Sequence, residues 1–182
     1  MKYIYVLACC LLLAHVASAQ DFTISDDHSS IAFSIKNFGV SSVSGKLFGL
    51  KGKGYFDANN LAESRIEASV DANTINTDNT LRDRHLREKT DLLEVAKYPL
   101  LELSSASIKA AANNQFTFTG KLTIKGKSKD ISFLFTATPA SSGYSFEGKF
   151  TINRKDFDID GGATMGDEIK VEIKAFGKLL PK

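Results

Sequence analysis

Cysteine and tryptophan are almost missing from this chain, and proline is rare. Of its 182 residues, none is Trp, two are Cys and three are Pro. Both cysteines, Cys9 and Cys10, lie in an N-terminal segment that we expect to be removed. The mature chain would then form no disulfide, no thiolate metal site and no cysteine nucleophile. It must be held together by its hydrophobic core, and a chain of this length can build one.

Net charge is also small. The chain has 23 Lys and Arg against 21 Asp and Glu, a formal net charge of +2. This balance argues against a nucleic-acid binder that relies on bulk charge. Hydrophobic residues make up 43% and charged residues 24%, which excludes collagen-like, low-complexity and wholly disordered chains. No linker, repeat or charge block divides the chain, so we predict a single domain over residues 20–182.

The first 19 residues have the pattern of a secretory signal peptide. A basic start at Lys2 is followed by an apolar run over residues 3–14 and by the small residues Ala17-Ser18-Ala19. These are the three parts of a signal peptide in their usual order. The pattern predicts cleavage near Ala19 and a periplasmic or secreted mature protein.

Two other interpretations of this segment are weaker. A membrane anchor needs roughly 20 apolar residues, whereas His15 interrupts this run. Lipid attachment at Cys9 would leave only eight residues before the modified cysteine, too few for the apolar region of a signal.

The rest of the chain is dominated by alternation of apolar and polar residues, which is typical of strands with one buried face. Such strands pair antiparallel more often than parallel, and short turns around Gly126 and Gly143 agree with hairpins. Eight or nine such strands predict a sandwich or a closed barrel, and a barrel leaves no unpaired edge. The alternating segments are 31–36, 66–72, 116–125, 131–137, 144–152 and 169–175, with weaker ones at 47–56 and 100–108.

One segment breaks the alternation. Residues 78–97 start with potential N-capping side chains and carry leucines that do not alternate. We predict one or two short helices here, which end before Pro99 because a proline disfavours helical backbone in the residue that precedes it.

Phenylalanine is abundant, with 13 residues, and many of them share the inward parity of their strands. An eight-stranded barrel is about the size that side chains either fill or leave open for one small ligand. These residues therefore form either a solid core or the wall of an apolar tunnel for a hydrophobic chain. The predicted inward set is Phe33, Ile35, Phe48, Phe116, Phe118, Phe133, Phe135, Phe146 and Phe150.

Catalytic signatures are missing from the sequence. We find no zinc-protease, serine-hydrolase, phosphate-loop or dinucleotide motif. His28 and His85 would need Asp83 or Asp27 to complete a metal site, and lone histidines are more often structural. We therefore predict no catalytic residue, no metal and no cofactor.

The basic run from Arg82 to His85 has two interpretations. It is either the solvated face of a helix, stabilised by local ion pairs, or an anion clamp, because arginine offers planar donors to phosphate. The residues alone do not choose between them.

A series of motifs in this chain resembles the YceI-like family of exported, lipocalin-like proteins. The resemblance covers essentially the whole mature chain, and its most specific piece is the run at 73–77 followed by that at 82–86. The matching motifs are Asp27-His28-Ser29, Val43-Ser44-Gly45, Gly54-Tyr55-Phe56-Asp57, Asn73-Thr74-Ile75-Asn76-Thr77, Arg82-Asp83-Arg84-His85-Leu86, Lys97-Tyr98-Pro99, residues 120–126 and residues 152–157.

The resemblance implies an eight-stranded antiparallel, lipocalin-like β-barrel that holds a long isoprenoid-like or acyl amphiphile in its interior. It also makes Arg82, His85 and Arg154 candidates for contact with a polar head group. The chain departs from the family pattern at Asn37, at the leucine pair 92–93 and at Asp158, where a histidine, an aromatic pair and a glycine are common.

The predicted function is therefore binding of a long-chain lipid, for carriage or storage, outside the cytoplasm. Two rivals remain open. One is a solid barrel that acts as a stress or interaction protein, and the other is an enzyme or metal site that uses His85 with Asp83. No nucleic-acid partner is predicted, and a homodimer and transient membrane contact are compatible with this function.

Overall fold

The computed structural model describes residues 20–25 and 28–181. The predicted signal peptide and Asp27 lie outside the described residues. Ten antiparallel strands make up most of the domain. They are β1 (Gln20–Ile24), β2 (Ser30–Asn37), β3 (Ser41–Leu47), β4 (Lys51–Phe56), β5 (Arg65–Asp71), β6 (Leu100–Ala110), β7 (Phe116–Ile124), β8 (Lys127–Ala140), β9 (Gly143–Asn153) and β10 (Met165–Leu179).

The ten strands close into an eight-stranded barrel. β1 and β2 pair in succession with the same edge of β10, Ile24 opposite Gly177 and Ser30 opposite Lys174. β3 and β4 follow one another in the same way, since β3 pairs with β2 and β4 with β1. Each of these two pairs of strands acts as one bent strand, and the pairing of β1 with β10 closes the sheet. The predicted eight-stranded antiparallel barrel is confirmed.

The bend between β3 and β4 has a local cause. The alternating segment 47–56 is interrupted after Leu47, and Gly49 adopts a φ of +76°, a left-handed conformation that glycine takes without steric cost. The strand therefore turns here instead of running on as the sequence pattern suggests.

Residues 20–25 and 28–181 contain one α-helix, α1, which spans Thr80–Glu88. The Asn79 side chain accepts a hydrogen bond from the backbone N–H of Arg82 at 2.9 Å, so an otherwise unpaired donor of the first turn is satisfied. Residues 89–97 form turns. The segment 78–97, for which we predicted one or two short helices, therefore contains one. Among the described residues, 3₁₀ turns also form at Leu61–Glu63, Ala72–Thr74 and Arg154–Phe157. Across the described residues, no helix is long and apolar enough to cross a bilayer.

The two ends of the barrel differ. At the helical end, three segments meet: the β2–β3 hairpin, residues 75–97 and the loop 158–165. Hydrogen bonds join them, from Phe38 N to Thr164 O at 2.8 Å and from Asp160 N to Asp91 O at 2.7 Å.

At the aromatic end, phenylalanines and a tyrosine fill the interior. The Phe56 ring is fully buried, and its centroid lies 5.1 Å from that of Phe116, 5.2 Å from Tyr144 and 5.7 Å from Phe146. These are the distances of close aromatic packing. Burial, with help from the Asp57 carboxylate, raises the pKa of the Tyr144 hydroxyl.

Candidate functional site

The barrel encloses a cavity of about 360 Å³. This volume lies within the ~300–1,000 Å³ typical of small-molecule pockets. Its wall is almost entirely apolar. Seven of the nine predicted interior residues line it: Phe33, Ile35, Phe118, Phe133, Phe135, Phe146 and Phe150. They share one space, as their common parity on neighbouring strands predicts, while ligand binding by them stays a prediction.

Three phenylalanine rings form a stacked row along one side of the cavity, across β7, β8 and β9. The Phe133 centroid lies 4.9 Å from that of Phe118 and 4.6 Å from that of Phe150. Gly148 on β9 makes room for the middle ring, because a Cβ atom there would lie 2.9 Å from the Phe133 ring. The row adds a continuous aromatic surface to the cavity wall.

Phe48 was predicted to face this interior, and that prediction is wrong. Its side chain is 44% exposed and lies beside a groove on the outer surface. The preceding Leu47 is the last residue of β3 and points inward, so the next side chain points out. Thr74 fixes this arrangement, since its hydroxyl accepts from Phe48 N at 3.0 Å and donates to Phe48 O at 2.9 Å.

Phe116 has the predicted inward direction but does not reach the cavity. It is 8% exposed and packs edge-on against Phe56 in the aromatic end. The prediction that Phe116 lines the tunnel is therefore wrong. Phe116 belongs to the solid part of the core. The cavity does not extend among Phe22, Phe56, Phe116 and Tyr144, so the predicted tunnel is a pocket that ends at this cluster.

The polar part of the cavity wall comes mainly from the helical end. One face of α1 contributes Arg82, His85 and Leu86, and Lys89 extends that face by one turn. These positions follow the i, i+3, i+4, i+7 spacing of a single helix face. We call Thr77, Arg82, His85 and Lys89 the mouth of the cavity. Lys89 and Thr77 were not predicted, although the helical period applied from Arg82 would have found Lys89.

Arg82 and Asp83 are held by Thr77. The Arg82 guanidinium donates to Thr77 Oγ1 at 2.7 Å and to Thr77 O at 2.6 Å. Asp83 is 6% exposed, and one carboxylate oxygen accepts from the Thr77 N–H at 2.9 Å and from the Thr77 hydroxyl. The solvated helix face with local ion pairs is therefore not what forms: Asp83 is buried, and both residues bond Thr77 and so fasten the helix to the chain before it.

His85 behaves differently. It lines the cavity and is half-buried, and no hydrogen bond or ion pair of its imidazole is found within residues 20–25 and 28–181. Asp83 bonds to Thr77 and not to His85, so the pair required by the enzyme interpretation is not formed. Among the described residues there is also no cluster of three or more His, Cys, Asp or Glu side chains that could hold a metal ion.

Arg154 also lines the cavity, but its guanidinium is bonded within the loop after β9. It is 2% exposed, and its guanidinium makes four hydrogen bonds and an ion pair of 3.7 Å with Asp160. The head-group role predicted for Arg154 is not supported, because its donors are used within the protein. Its hydrogen-bond acceptors are the carbonyl oxygens of Ile159, Met165 and Gly166 and the carboxylate of Asp167.

The structure shows the surroundings of the three positions at which the chain departs from the family pattern. Asp158 has a φ of +53°, which explains why glycine suits this position. Its carboxylate contacts Lys127 Nζ at 2.9 Å, and the hydrogen bond from that lysine holds the pKa of Asp158 below its ordinary value. The leucine pair 92–93 lines the cavity, and Asn37 ends β2.

The new position of Phe48 leads to a direct test. Replacing Phe48 with Ser should leave lipid affinity within about twofold, because the ring lies outside the cavity. Replacing Phe33 with Ser should weaken binding roughly tenfold or more, since an apolar contact is lost from the wall. Titration of both variants with one long-chain lipid compares them, and equal losses would place Phe48 at the ligand.

Comparison with known proteins agrees with this architecture. The model of the YceI-like domain matches residues 22–176. A UPF0312 protein of Shewanella denitrificans is 32% identical over 129 residues, which are 70% of this chain and 67% of that protein.

Two solved structures share the fold. Burkholderia cenocepacia BcnA superposes with a TM-score of 0.76 at 22% identity, covering 81% of this chain and 95% of its own. A polyisoprenoid binding domain from Saccharophagus degradans, implicated in plant cell wall breakdown, has a TM-score of 0.70 at 12% identity and covers 90% of this chain and 100% of its own. The family model spans most of the chain, and the chain therefore belongs to the YceI-like family.

Proposed function

We propose that this protein is exported and binds one long-chain, isoprenoid-like or acyl lipid in its barrel, for carriage or storage. The observation that carries the proposal is the cavity of about 360 Å³ with its aromatic and aliphatic wall. A barrel that served only as a rigid interaction module would gain stability from filling this space with side chains, since voids are costly. The polyisoprenoid binding domain of Saccharophagus degradans supports the same class of ligand.

The two ends of the barrel give the ligand a direction. The aromatic end is closed by Phe56 and its neighbours, whereas the mouth carries the polar side chains of Thr77, Arg82, His85 and Lys89. A lipid tail therefore points toward the aromatic end and a polar group toward α1. Of the mouth residues, His85 and Lys89 have side chains that no described residue binds, so they are the ones free to contact a head group.

Affinity comes mainly from the tail. Each buried CH₂ contributes roughly 0.8 kcal/mol, so a chain of ten or more carbons outweighs the cost of ordering a small ligand. A polar group at the mouth adds direction and selectivity. This division explains why the chain can bind a lipid without a conspicuous head-group motif.

Native mass spectrometry tests the proposal. The protein purified without detergent from the periplasm or medium of its own cells should carry a lipid, visible as a discrete added mass that organic extraction removes. Recovery of the protein from those fractions, with residues 1–19 removed, tests export. A protein that carries no lipid, and takes up neither a polyprenol nor a fatty acid, would support the solid-barrel rival.

Arg82→Ala should alter which lipid binds, or lower stability, more than it abolishes binding. The guanidinium bonds Thr77 rather than pointing freely into the cavity, so its loss loosens the start of α1 by about 1–2 kcal/mol. Lipid loading and melting temperature should be measured together, with Arg84→Ala as the control on the exposed face of the same helix. A stable Arg82→Ala protein that binds no lipid would contradict this expectation.

A further inference from the structure

The β2–β3 hairpin carries an exposed apolar tip. Phe38 is 69% exposed and Val40 is 89% exposed, while the residues that flank them on both strands are mostly polar. No other large hydrophobic side chain in the described part of the chain is as exposed. We call Phe38 and Val40 the hairpin tip.

The exposure of the tip does not come from a loose loop. Phe38 N donates to Thr164 O at 2.8 Å, and the Ser41 hydroxyl donates to Asn37 O at 3.0 Å. Ser41 and Asn37 are also paired across the hairpin. The two apolar side chains are therefore held outward by a fixed backbone.

Phenylalanine is also an unusual choice at this position. Phe38 has a φ of +51°, a left-handed conformation in which Asn and Gly are favoured and a bulky side chain is an outlier. Asn would adopt this backbone conformation at a lower cost, so the turn itself does not explain the phenylalanine. A surface role for the ring accounts for that choice.

The tip lies beside the cavity. Ile35 and Val43 on the same hairpin line the cavity wall, only a few residues from the tip. Met165, which also lines the wall, pairs with Asn37. The tip thus projects from the end of the barrel where the mouth is.

On these grounds we propose that the hairpin tip inserts into the surface of a lipid bilayer and brings the mouth to it. The proposal rests on the proposed function in one respect, since a lipid carrier must meet the membrane from which its ligand comes. A Phe side chain buries about 150–250 Å², so the tip is far smaller than the roughly 800 Å² per partner of a stable protein interface. Contact with a bilayer has no such minimum area, because its strength grows with the apolar area that is buried at the headgroup boundary, so two apolar side chains give weak and reversible docking.

Charge plays a secondary role in this docking. The helical end carries the basic residues Lys36, Arg84 and Lys89, and it also carries acidic ones such as Asp91 and Glu168. With both signs present, attraction to anionic lipids is weak, and binding should depend on the apolar tip. The protein should therefore bind neutral vesicles.

Flotation with phosphatidylcholine vesicles tests the proposal. The wild-type protein should float with the vesicles, and the double variant Phe38→Asn, Val40→Ser should bind about a hundredfold more weakly, as two apolar side chains no longer leave water. Asn suits the positive φ at position 38, so the variant should fold, which its melting temperature checks. Leu134→Ser is the matched control, because Leu134 is 49% exposed on β8 and should not affect flotation.

Lipid loading at equilibrium, measured by native mass spectrometry, separates this proposal from the proposed function. Loss of flotation in the tip variant with normal loading supports docking by the tip. Tip-dependent flotation of a protein that loads no lipid supports docking and contradicts the carrier function. Equal flotation of wild type and tip variant, or flotation only with added phosphatidylglycerol and unchanged in the variant, would overturn the proposal whatever the loading shows.

Discussion

Phe133→Asp should abolish lipid binding, whereas Leu134→Asp should leave it intact. The two residues are neighbours on β8 and point in opposite directions. Phe133 is the middle ring of the stacked row in the cavity wall, and Leu134 is 49% exposed on the outside. A carboxylate at position 133 would face an apolar cavity with no partner for its charge, so affinity should fall at least about a hundredfold.

Titration with a fluorescent fatty acid or polyprenol analogue measures this effect, and far-UV circular dichroism checks that both variants fold. If Phe133→Asp fails to fold, Phe133→Ser removes the ring without adding a charge and should still weaken binding clearly. A folded Phe133→Asp protein that keeps its affinity would show that the ligand does not occupy the cavity.

Arg154→Ala should lower the free energy of unfolding by about 3 kcal/mol or more. The truncation leaves three buried or half-buried carbonyl oxygens and the Asp167 carboxylate without their donor. An unsatisfied group of this kind costs about 1–3 kcal/mol, and breaking a buried charged pair costs more. In a domain of this size the melting temperature should drop by roughly 10 °C.

Lys155→Ala is the control for this variant. Lys155 bonds the same Asp167 carboxylate at 2.8 Å, but its side chain is 62% exposed, and exposed ion pairs contribute ~0–1 kcal/mol. Urea unfolding of both variants compares them. Similar small losses would mean that the loop 158–165 is held by other contacts and that Arg154 is dispensable for it.

Alternation identified eight of the ten strands and most of the interior, because those strands have one dry and one wet face. It missed β1 and β3, which are short or mostly polar. The rule fails where a strand bends. Leu47 is the last residue of β3, and Phe48 lies in the bend that follows it. When two adjacent residues are both apolar, the sequence pattern does not reveal which side chain points inward. Phe116 shows another limit: parity gives the direction of a side chain but not its depth along the barrel, which decides between cavity wall and solid core.

The helical end was harder to predict from the sequence. The motif at 82–85 indicated the helix. It did not show that Arg82 bonds Thr77 or that His85 lines the cavity, because these contacts depend on how α1 lies across the barrel. The burial of Arg154 depends on contacts with Gly166 and Asp167, which the chain reaches only after a loop. Such contacts join residues that are distant in sequence and leave no local pattern.

The closed aromatic end has a kinetic consequence. With Phe56 and its neighbours filling one end of the barrel, a lipid that binds as proposed must depart through the mouth by which it arrived, polar group first. A second lipid has no rear entrance from which to displace the first, and the occupied mouth blocks the front. Exchange of one lipid for another is then dissociative, and its rate is independent of the concentration of the incoming lipid.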